Sequence, residues 1–111
     1  MGENAVELGK DAVYEVRVGN PGSSANTNVR VELAFGPGLV PRSAQGPSPF
    51  RLDGQNVIFD GTPTLVAQGQ AIYRVVAAGQ APGDQRVRAT VTSDQVRVPA
   101  TRETGTRVYR D

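Results

Sequence analysis

Ala12-Val13-Tyr14-Glu15-Val16-Arg17-Val18 is the stretch on which the fold turns. Side chains of an extended strand point alternately to opposite faces. That sets Ala12, Tyr14, Val16 and Val18 on one side and Val13, Glu15 and Arg17 on the other. One apolar and one wet face is the pattern of an antiparallel sheet with a single buried side. Ahead of the stretch, Gly9-Lys10-Asp11 reads as a turn and Ala5-Val6-Glu7-Leu8 as an edge strand. Behind it, Asn20-Pro21-Gly22-Ser23 reads as a tight turn, with proline fixing one φ and glycine free to take a positive one.

The same two-residue rhythm recurs along the chain. Asn28 to Phe35 places Val29, Val31, Leu33 and Phe35 inward and Asn28, Arg30 and Glu32 outward. Gly36 to Pro49 carries Pro37, Pro41, Pro47 and Pro49, which rules out a central strand because proline cannot donate to the ladder. It reads as a long loop or a frayed edge. Phe50-Arg51-Leu52 and Gln55-Asn56-Val57-Ile58-Phe59 flank Asp53-Gly54, a two-residue hairpin signal, and Asp60-Gly61-Thr62-Pro63 reads as the end of that strand. Ala71 to Ala78, with Tyr73, Val75 and Ala77 inward, is expected to pair with Gln85 to Ser93. Val96 and Val98 extend the latter past a bend at Asp94. The longest run free of glycine and proline, Asp84 to Val98, alternates instead of cycling at the helical period. About seven short strands separated by Gly/Pro turns make an all-β antiparallel sandwich, with a closed barrel as the alternative. Residues 1–98 are expected to form this single module, and 99–111 a last edge strand or a linker to a following domain. Met1-Gly2-Glu3 reads as the start of an excised segment.

Composition removes most chemistries. The 111 residues include no Cys, no His, one lysine (Lys10) and a net charge of +1, so neither thiolate or imidazole catalysis nor a Cys- or His-ligated metal is available. The charge balance lacks the basic excess of a nucleic-acid binder. No apolar run approaches the ~18 residues that cross a bilayer, and no charged-then-apolar leader opens the chain. No cofactor is expected.

Five motifs in order carry a family likeness. Leu8-Gly9-Lys10-Asp11-Ala12-Val13-Tyr14-Glu15-Val16-Arg17-Val18-Gly19-Asn20-Pro21-Gly22 resembles the "vGdtvtYtvtvtNtG" opening of a bacterial repeat known as domain of unknown function eleven, a relative of bacterial cell-adhesion-related modules. Ala25 to Val31 resembles its "atnvvv" strand, Pro37-Gly38-Leu39 its "LPaGL" turn, Leu65 to Gln70 its "LapGes", and Ala89 to Asp94 its closing "atvtsd". The likeness covers roughly residues 5 to 94. It departs at Gln68, where the family often has proline, and in the Pro-rich stretch from Arg42 to Phe50. The resemblance implies an Ig-like sandwich, commonly in tandem within secreted or surface-anchored bacterial proteins, and it brings no catalytic residues.

The chemistry-bearing side chains have bland roles available. Asn20 can cap its own turn while Gly22 takes the left-handed conformation. Tyr14 and Tyr73 can fill the core with their hydroxyls at its edge. Asp11, Asp53, Asp60, Asp84 and Asp94 are turn acids without the clustering that calcium requires. Lys10 sits in a hydrated turn, unlike the buried amine that a Lys–Asn crosslink needs. If strands 28–35, 71–78 and 85–93 share one sheet, Arg30, Arg74, Arg86 and Arg88 share its outer face, where guanidinium forks suit acidic glycans. The expectation is a non-catalytic spacer, stalk or adhesion module of a bacterial secreted or surface protein, monomeric in isolation. Its partners are expected to be neighbouring domains of the parent and cell-wall glycan or a surface protein. The alternative is a binding module using the arginine face or the 36–49 loop.

Overall fold

A computed structural model describes residues 5–20, 22–95 and 99–110, and only the backbone at Thr62 and Pro63. Pro21, Val96 and Val98 lie outside the described residues. The strands are β1 (Ala5–Glu7), β2 (Asp11–Gly19), β3 (Asn26–Phe35), β4 (Leu39–Gln45), β5 (Phe50–Asp53), β6 (Asn56–Leu65), β7 (Gln70–Gly79), β8 (Gly83–Thr92) and β9 (Ala100–Tyr109). Among the described residues there is no helix. Two sheets face each other, one ordered β1-β9-β8-β3-β6-β5 and the other β2-β7-β4.

The inward positions expected from alternation are those that pack. Ala12, Tyr14 and Val16 of β2, Val29 to Phe35 of β3 at alternate positions, and Tyr73, Val75 and Ala77 of β7 are all buried. The aromatic residues tie the layers by edge-to-face contacts, Tyr14 on Phe35 at 5.3 Å between ring centres and Phe59 on Tyr73 at 4.8 Å. Gly46 lets these last two rings close, since a Cβ there would lie 2.7 Å from Tyr73 and 3.0 Å from Phe59. The Tyr14 hydroxyl is not at the core's edge; it hydrogen-bonds Thr106 Oγ1 across the sandwich at 2.7 Å.

Several local readings are corrected. The 36–49 stretch, read as a loop or a frayed edge, holds an edge strand: β4 pairs with β7 at the margin of the smaller sheet. Pro41 is tolerated there because one side of β4 has no ladder to feed. A register shift follows, in which Arg42 is the extra residue. The β5–β6 hairpin is present, with Asp53 opposite Asn56 and the loop residues therefore Gly54 and Gln55. Gly54 alone has the positive φ, +61°, that the first loop position of a type II′ turn needs. β6 does not end at Asp60 but continues to Leu65; a bulge sets Asp60 and Gly61 against Arg30 and absorbs the turn-like residues. In the facing turn Gln68 takes a positive φ, +63°. Proline could not adopt that angle. Finally, β7 and β8 are not partners: β8 lies between β3 and β9 in the other sheet. Residues 100–109, which the sequence leaves open as strand or linker, form β9 and bury Thr106 and Val108.

Candidate functional site

The four arginines are separated by that topology. Arg74 lies on β7 in the smaller sheet, 3.2 Å from Glu15. Arg30 on β3 stands opposite Thr92, while Arg88 on β8 stands opposite Ala34. Four residues along a strand is about 13 Å, with the Glu32–Thr90 pair between them. Only Arg86 and Arg88 come together, and both lean on Glu103 of β9, at 3.9 and 3.6 Å. The expected arginine face is thus split into three places on two layers: Arg74 beside Glu15, Arg30 on β3, and Arg86 with Arg88 against Glu103. The carboxylate of Glu15 sits between Arg17 and Arg74, whose hydrogen bonds, Arg17 first, hold it below the usual glutamate range. Lys10 is exposed. Among the described residues no three acidic side chains converge on a metal position.

Unequal sheet widths create a different feature. At ~4.8 Å per strand, six strands span about 24 Å and three only about 10 Å, so the larger sheet overhangs the smaller at both sides. On the β5 side the overhang leaves Phe50 and Leu52, 40% and 45% exposed. On the β9 side it leaves a cleft of about 730 Å³. Val29, Ala89, Val91 and Ala100 make its aliphatic floor, and Thr92, Ser93, Asn26 and Arg102 its rim. β2 forms the wall with five consecutive residues, Glu15 through Gly19. Alternate residues of a strand face opposite ways, so five in succession can line a cleft only along the strand's edge. Among the described residues β2 ends its sheet and pairs only with β7, which leaves the backbone groups of its other edge without a ladder partner.

The sequence holds one trace of this cleft. The core-facing series of β9 runs Ala100, Arg102, Thr104, Thr106, Val108, passing from a charged residue to a sealed apolar one. Arg102 stands opposite buried Ala89 on the core-facing side. It is tolerable there only because the second sheet does not reach it. Which strands overhang depends on pairings between distant segments, which the alternation of any one segment does not encode.

No known protein-family model matches the chain. Among solved structures, it superposes on the CARDB domain of the PF1109 protein from Pyrococcus furiosus, crystallised with di-metal ions, at TM-score 0.62 and 18% identity over 96% of this chain and 82% of that one. The C-terminal domain of the Streptococcus pyogenes antigen I/II-family protein AspA matches at TM-score 0.68 and 10% identity, over 96% of this chain and 42% of that one. A family 123 glycoside hydrolase from Clostridium perfringens matches at TM-score 0.64 and 12% identity, over 97% of this chain but only 23% of the hydrolase. At these identities the likeness shows the fold alone, an Ig-like sandwich.

Proposed function

We propose that this chain is a non-catalytic Ig-like module, acting as a spacer or adhesion unit of a larger bacterial secreted or surface protein. The observation that carries the reading is the parallel pairing of the first and last strands, Ala5 with Arg107 through Glu7 with Tyr109. The chain therefore enters and leaves the module heading the same way. Copies joined in series can keep one heading instead of doubling back. The small share of the hydrolase that the chain matches supports an accessory role. The motif likeness to the bacterial repeat supports the same setting, with adjacent domains as the immediate partners and cell-wall glycan or a surface protein as the distal contact. The arginines do not form the shared face on which the glycan alternative rests, since Arg74 lies in the other sheet from Arg30, Arg86 and Arg88.

Tandem constructions of one, two and three copies, measured by small-angle X-ray scattering, test the spacer role. The expected maximum dimension rises by a near-constant increment with each added copy. Growth that instead follows the cube root of copy number, as for a compact cluster, overturns it.

A further inference from the structure

The cleft beside β2 has a geometry that the spacer role leaves unused. We propose that it receives an extended peptide of a partner protein, which adds as a strand to the free edge of β2 and presents an acidic side chain to Arg102. The inference goes beyond the spacer reading and stands without it.

Three observations carry it. First, the end strands differ. β4 is interrupted by Pro41 and the bulge at Arg42, β5 is four residues long and β1 three. β2 pairs with β7 through nine unbroken positions, Asp11 to Gly19, leaving a straight second edge. Natural sheets blunt their edges with short strands, proline and bulges; β2 alone is not blunted in those ways. Second, the groups beside that edge suit a strand's side chains. Val16, Val18, Val29, Ala89 and Val91 offer aliphatic surface, and no aromatic ring lines the cleft to stack on a sugar. A peptide pairing with Glu15 through Gly19 spans about 16 Å and can set alternate side chains on this floor, as in other strand-addition complexes. Third, Arg102 is a cation on the rim that enters no ion pair among the described residues. Those formed by described residues use Arg17, Arg42, Arg74, Arg86 and Arg88. Its guanidinium fork favours a carboxylate.

The probe is a labelled, end-blocked heptapeptide of alternating valine and threonine with glutamate at its centre, titrated into the full chain. The expected result is saturable binding by fluorescence anisotropy, with amide shifts confined to Glu15–Gly19 and the Ala89, Val91 and Arg102 region. Arg102→Ala weakens it about fivefold at low salt, and a lysine-centred peptide binds less tightly still. Because successive backbone N–H groups point to opposite edges, N-methylation of one alternate set abolishes binding and of the other set preserves it. Absence of binding at millimolar peptide, shifts elsewhere, or equal effects of the two methylated sets overturns the proposal. Self-association of the unmodified chain through β2 also overturns it, assigning the cleft to a second copy.

Discussion

Asn20 shows how much a single turn residue can hold. It is 4% exposed, and its Nδ2 donates to the carbonyls of Ser24 at 2.8 Å and Leu65 at 3.0 Å, while its Oδ1 accepts from Gly22 N. Its backbone bonds Gly69 and Gln68, so the β2–β3 and β6–β7 turns meet at one amide. Asn20→Ala should cost about 2–3 kcal/mol, read from urea denaturation, because a buried carbonyl loses its donor. Asn20→Asp should cost at least as much, since a carboxylate cannot donate to either carbonyl. At Gly46 the cost is steric. Gly46→Ala drives a methyl into Tyr73 and Phe59, and about 1–3 kcal/mol should be lost on the same measurement. The capping amide was legible from the spacing of Asn20 and Gly22; its bond to Leu65, forty-five residues away, was not.

Strands were legible where alternation was uninterrupted, as in β2, β3 and β7. They were obscured where a bulge carried glycine or proline through the ladder, as at Pro41 and at Asp60-Gly61. β9 was equivocal because only two of its core-facing residues, Thr106 and Val108, are buried, and one of them is polar. Its energetic role is nonetheless central: truncation after Pro99 removes those two and uncovers an edge of β8. The expected outcome is loss of the cooperative thermal transition seen by circular dichroism. Across β2 and β7, Glu15 is held by Arg17 and Arg74. A carboxyl whose folded-state pKa lies below its unfolded value stabilises the fold above the unfolded pKa. That contribution disappears as pH falls through the folded one. Glu15→Gln should therefore be less stable than the parent by a constant, small margin above about pH 5, and the margin should shrink below about pH 4. Urea midpoints at several pH values check this.

At the scale of the whole molecule, the candidate cleft was the least legible feature. It exists because a sheet of six strands overhangs one of three, and the partition of strands between layers is a property of long-range pairing. The misplaced arginine face has the same origin, since Arg74 and Arg88 alternate correctly within strands that belong to different sheets. The junction of β1 with β9 has a mechanical consequence. Tension on the two chain ends drags these parallel neighbours past each other lengthwise. The contacts of Ala5, Val6 and Glu7, with the Leu8 N–H bond to Tyr109 O, are then strained together instead of being peeled singly. A single-molecule pulling record should show one abrupt rupture per module. Removal of residues 1–7 should abolish the high-force event while circular dichroism still reports the sheets. The shortest strand would then be the latch that keeps the module from lengthening under load.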